Sequence, residues 1–190
     1  MSRVLVGGIV GGIVAFGWGA ASHMFLGIHD QDFRQVENES KLVDAVRDSV
    51  KEPGIYYFPW MDPADHGDEA KEKAFTEKYR AGPNGILVRG RDGEDPMSPR
   101  ELALEFASSV VAALIASIVV AAVGSRCGGV SKVLLVALLG VFAWTSQNAS
   151  YMIWYRFPKS IEVPELIDAA AEWFLAGIAI AAIVRPKPST

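Results

Sequence analysis

Four long apolar runs constrain what this chain can fold into, because each is too long and too free of charge to lie on a water-facing surface. Val4 to Ile28 carries one ionisable side chain, His23. Phe106 to Gly124 and Val133 to Tyr155 carry none, and Ile167 to Val184 carries only Asp168 and Glu172. A helix that crosses a bilayer needs about 20 mainly apolar residues to span about 30 Å of hydrocarbon. Three runs meet that length outright, and the fourth meets it with Pro164 to Ile167 at the interface. The expected fold class is an all-α membrane protein, a four-transmembrane-helix bundle with a small extramembrane α+β insertion between helices one and two. The expected boundaries are helix one over 1–28, the inserted domain over 29–98, helix two over 99–124 and a loop over 125–132. Helix three follows over 133–156, a loop over 157–163, helix four over 164–184 and a tail over 185–190.

Charge is concentrated outside those runs. Asp30 to Arg100 holds 11 of the 18 basic and 16 of the 22 acidic residues. This acidic excess argues against a nucleic-acid partner. The single cysteine, Cys127, excludes an intramolecular disulfide. The first apolar run follows Arg3 and exceeds a usual signal-peptide core, so it reads as a signal-anchor helix. The short elements on one face carry Arg3, Arg126, Lys132, Arg185 and Lys187, against Arg156 and Lys159 on the other. By the positive-inside rule both termini are expected in the cytoplasm and the inserted domain outside, in the bacterial periplasm.

Two sets of small residues predict close helix packing. Gly7 and Gly11, and Gly8 and Gly12, form overlapping GxxxG pairs in helix one, and Ser109, Ala113, Ser117 and Ala121 form a four-residue ladder in helix two. Such faces let backbones approach within or between chains. Helix two should open with a capping box, Ser98 with Glu101, and Pro99 at its first position. The inserted domain reads as helix 39–51, strand 55–58, helix 68–80 and strand 86–89, from apolar spacing and turn residues.

One polar layer in the outer leaflet is the candidate site. Counting 1.5 Å per residue from the helix ends puts Glu172, Asn148, Gln147, Glu105 and Ser109 at similar depth, with His23 nearer the outside. Ionisable groups at such depth are costly, and they normally face protein or water. The layer suits a proton, a cation, or the polar head of a lipid or quinone. The bland alternative is snorkelling or interhelical hydrogen bonding. Asp62, Asp65, His66, Asp68 and Glu69 match no calcium loop or zinc spacing and read as helix starts and turns. No metal and no cofactor is expected. Trp60, Trp154, Tyr151, Tyr155 and Phe157 read as an interfacial aromatic belt. The chain contains no P-loop, dinucleotide fingerprint, nucleophile elbow or paired-histidine helix motif.

At Asn148 to Pro158, NASYMIWYRFP, and at Gly54 to Pro59 and Gly82 to Gly85, the chain resembles a set of uncharacterised small bacterial membrane proteins with a related N…WY-x-FP segment. The resemblance implies a bacterial four-span protein and carries no activity. Together these features lead to an expected function as a non-catalytic accessory or stabilising subunit of a larger inner-membrane complex, bound to lipids and to other membrane subunits or itself. The competing expectation is a small-solute, proton or lipid-handling protein built on the layer around Glu172.

Overall fold

The computed structural model describes residues 2–185, so Lys187 and the rest of the tail beyond Arg185 lie outside the described residues. Six α-helices and two strands follow in the order α1 (Ser2–Met24), α2 (Glu39–Ser49), β1 (Gly54–Phe58), α3 (Glu69–Ala81), β2 (Gly85–Arg89), α4 (Pro99–Val123), α5 (Gly129–Trp154) and α6 (Lys159–Ile183). Four of them, α1, α4, α5 and α6, are long and apolar enough to cross a membrane. Only 17% to 28% of the residues in their apolar windows are buried. Leu5, Ile9, Ile13, Ile115, Ile118, Leu138, Phe142 and Ile178 therefore point outward. An exposed apolar surface of that extent is the signature of a multi-pass membrane protein.

The chain divides into two compact units, one formed by 1–34 with 96–190 and the other by 35–95. The expected inserted domain of 29–98 is thus shorter at both ends, and residues 29–34 pack with the long helices.

In the first unit, α1 lies against α4 and α6, and α6 lies against α5. Glycines set these contacts. A Cβ on Gly8 would stand 2.8 Å from Leu114 Cα, and one on Gly12 would stand 2.6 Å from Val110 Cα. The same test at Gly7 and Gly11 meets Val184 Cγ2 and Ile180 Cγ1, each at 2.7 Å. One GxxxG pair therefore seats α4 and the other seats α6, both antiparallel to α1. Gly177 plays the matching part against Val133 O of α5, at 3.0 Å. The small-residue ladder of α4 is buried at Ser109, Ala113 and Ser117, but Ala121 is exposed, and Val120 takes the next inward position. The core is correspondingly thin-walled: Ala113, Ala116, Val120, Val136, Ile180 and Val184. Arg3 donates to the Arg185 carbonyl at 3.3 Å, so the chain enters and leaves the bundle at one end.

Several boundaries differ from those the sequence implies. Helix α5 begins at Gly129, so Lys132 is a buried helical residue rather than part of a loop. Helix α6 begins at Lys159, placing Pro164 inside it. A proline so near the start forfeits a single backbone bond, which the first turns tolerate better than a helix centre does. The Ser98 cap forms, with Oγ accepting from Glu101 N at 3.4 Å, but Glu101 makes no return bond among the described residues and its carboxylate lies 4.0 Å from Arg100. At the end of α5, Arg156 adopts φ +62° while Tyr155 N and Phe157 N both donate to Tyr151 O, a left-handed helix stop. Tyr151 packs against Tyr155 and Phe157, with centroids 6.0 Å and 5.4 Å away.

The second unit is an antiparallel β1–β2 pair in register Gly54↔Arg89 to Phe58↔Gly85, with α2 and α3. Neither helix has a buried residue, and Val50 is the only buried apolar side chain described here. The acidic cluster serves as caps and turn bonds. Asp62 accepts from Ala64 N and Asp68 from Ala70 N and Lys71 N, while Glu72 accepts from Gly67 N.

Candidate functional site

The end of the bundle opposite Arg3 gathers most of its buried polar groups. Helix α4 begins there, α1 ends there, and α6 enters with Glu165, Asp168 and Glu172 at spacings of three and four, hence on one face. An open cavity of about 410 Å³ lies between these three helices. Its polar lining is His23 of α1, Glu105 and Ser109 of α4, and Glu172 of α6; Phe16, Met24 and Met97 form part of its apolar wall. Four residues of the sequence-derived layer therefore meet in one place. Gln147 and Asn148 do not line it. Gln147 is exposed and donates to Tyr151 Oη of its own helix at 3.1 Å. A depth count along α5 does not fix which way a side chain points around the helix axis.

Beside this cavity lies a cluster that spacing along the chain conceals. Asp168, 5% exposed, accepts from Trp18 Nε1 at 2.6 Å and has its other oxygen 3.7 Å from His29 Nε2. His29 Nδ1 is bonded to Asp32 Oδ2 at 2.7 Å. The His23 and His29 rings are stacked, 3.9 Å between centroids and 12° between planes. His23 Nδ1 lies 3.0 Å from the Gly19 carbonyl and 3.1 Å from Ser22 Oγ. Glu165 joins them, and one ligand-capable atom from each of His23, His29 and Glu165 lies within 4.8 Å of the others. His29 and Asp32 precede the inserted unit in a charged stretch, so in sequence they read as part of its surface. The only local cue was the His-x-x-Asp spacing, which fits a turn as well as a site.

The electrostatics are one-sided. The groups acting on Glu172 are Asp168, Glu105 and Glu165, and those acting on Glu165 are the His29 and His23 imidazoles with Asp32 and Asp168. No lysine or arginine stands among them. Five carboxylates and two imidazoles thus share a partly dehydrated setting. Elsewhere in α6, Glu162 is 1% exposed, with Oε2 lacking a hydrogen-bond partner.

Comparison with protein families, with curated proteins and with solved structures found no match for this chain.

Proposed function

We propose that this chain is a bacterial inner-membrane protein that takes up a small cation or a proton in the acidic layer at the outer end of a four-span bundle. The observation that carries this reading is the cavity lined jointly by Glu105, Glu172, Ser109 and His23, with no lysine or arginine among its described lining residues. Glu172 accepts no hydrogen bond from another helix among the described residues, so interhelical glue does not account for it. Purified protein should gain thermal stability as cation concentration rises, because a ligand that binds only the folded state stabilises it by mass action. The Glu105→Gln, Glu172→Gln pair should keep the fold and lose that response. An identical response in the double variant would sink the proposal.

The bacterial inner membrane follows from the resemblance around Asn148 to Pro158, and the orientation follows from the basic residues of the short elements. On this reading Cys127 and both termini face the cytoplasm, and 35–95 lies outside. Cys127 should resist a membrane-impermeant thiol reagent in intact cells and react after the inner face is opened. Labelling of intact cells would invert the topology.

The second reading is an accessory subunit of a larger membrane complex. It draws on the thin core of 35–95 and its open groove of about 400 Å³, walled in part by Leu42, Val43, Val46, Leu87 and Val88. Against it, Gly7, Gly8, Gly11 and Gly12 are occupied by helices of the same chain. A stoichiometric partner kept through gentle extraction, and lost in Val43→Glu, would favour this reading over the first.

A further inference from the structure

We propose that His23, His29 and Glu165 bind a divalent first-row transition-metal ion, of the Zn²⁺ or Fe²⁺ class. This rests on reading the acidic layer as a cation site, and it names the cation and the atoms that hold it. Three lines of geometry lead here. The first is convergence. One donor atom from each of the three side chains lies within 4.8 Å of the others. Metal–ligand bonds of about 2.0–2.2 Å set donors roughly 3–4 Å apart, so small side-chain rotations complete the set.

The second line is the state of each imidazole. His29 Nδ1 faces the Asp32 carboxylate at 2.7 Å, an acceptor that holds the proton on Nδ1 and leaves a lone pair on Nε2. That Nε2 belongs to a side chain only 7% exposed, and it has no hydrogen-bond partner. His23 Nδ1 likewise faces the Gly19 carbonyl at 3.0 Å, freeing its Nε2. A carboxylate or carbonyl behind each ring is the arrangement by which proteins orient metal-ligating histidines.

The third line is charge and donor type. Glu165, Asp168 and Asp32 place three carboxylates around two imidazoles, and a dication offsets most of the carboxylate charge. Two nitrogen donors with one carboxylate favour zinc or iron over calcium or magnesium, which take oxygen. Asp168 Oδ2, 3.7 Å from His29 Nε2, is in position to serve as a fourth donor or to hold a bound water. Its other oxygen is fixed by Trp18.

The test uses the full chain in detergent, freed of metal by a chelator, with Cys127→Ser removing the competing thiol. Zn²⁺ should bind at one equivalent per chain, and Co²⁺ in its place should give visible absorption bands of a nitrogen- and oxygen-ligated ion. Glu165→Gln and His23→Ala should each lower Zn²⁺ affinity on the order of 100-fold, and Asp32→Asn, one step removed from the metal, at least about 10-fold. His23 is exposed, so its alanine variant should fold even if others do not. No Zn²⁺ binding by the parent protein, or unchanged affinity in both His23→Ala and Glu165→Gln, would overturn the site. If that occurs while Glu105 and Glu172 still govern the cation response, the metal assignment fails alone. If both responses are absent, the cation reading fails with it.

Discussion

Replacing Gly12 with leucine will force α1 and α4 apart and cost about 3 kcal/mol or more. A Cβ at Gly12 would already stand 2.6 Å from Val110 Cα and 2.9 Å from Val110 N. Those are backbone atoms of a packed helix, so no rotamer change can relieve the clash. Gly8 is constrained in the same way by Leu114 Cα at 2.8 Å. Between apolar helices in lipid there is little hydrophobic drive to hold the pair together at a larger spacing, so lost contact is not recovered elsewhere. Thermal unfolding in detergent reads the effect directly, and Gly12→Ala should show a smaller loss in the same direction. Gly17 is the internal control, since a Cβ there meets nothing within 4 Å. Gly17→Ala should leave stability unchanged or raise it by up to about 1 kcal/mol through helix propensity. A Gly12→Leu protein as stable as its parent would place this face against lipid.

The helices were legible because length and apolarity act locally. A 23-residue run such as Ser2–Met24 has few alternatives to a helix once water is excluded. The elements of 35–95 were legible for a similar reason: the period changes at Pro53-Gly54 and again at Gly82-Pro83, and a strand follows each turn. The errors came where one residue type marks two situations. Pro164 suits a helix start, yet α6 begins five residues earlier, because the missing amide is tolerated within the first turns.

Residue counting gives each residue of the layer a depth but no azimuth. Spacing alone placed Glu165, Asp168 and Glu172 on one face, and the fold aims that face at α1 and α4. Nothing local reveals that Gln147 turns to its own helix while Glu105 turns to the cavity. His29 and Asp32 were hidden for a topological reason. They follow α1 in a charged stretch, and only the return of that stretch onto α6 brings His29 beside Asp168. A carboxylate in the early turns of a helix, such as Asp168, can complement its positive end, a role that needs no partner. In the fold Asp168 accepts from Trp18 and lies beside His29.

Asp168→Ala should therefore be a costly polar substitution in the bundle, at about 1–3 kcal/mol. Asp168 ties together three segments: its own helix α6, Trp18 of α1 at 2.6 Å, and His29 of the 25–34 stretch at 3.7 Å. Removing the carboxylate leaves the Trp18 N–H without its acceptor. Such an orphaned donor costs about 1–3 kcal/mol when water cannot reach it, and less where, as at half-buried Trp18, some water can. Asp168→Asn retains an acceptor for Trp18 and should lose less than half as much. A cycle with Trp18→Phe separates the two partners. If the tryptophan bond dominates, Asp168→Ala in the Trp18→Phe background should cost about 1–2 kcal/mol less than in the parent. If His29 dominates, the cost should be nearly the same in both backgrounds, and His29→Ala should show the coupling instead. A loss below about 0.5 kcal/mol in the parent would place Asp168 in the range of ordinary surface substitutions. The link from α1 through Asp168 to the 25–34 stretch would then not exist.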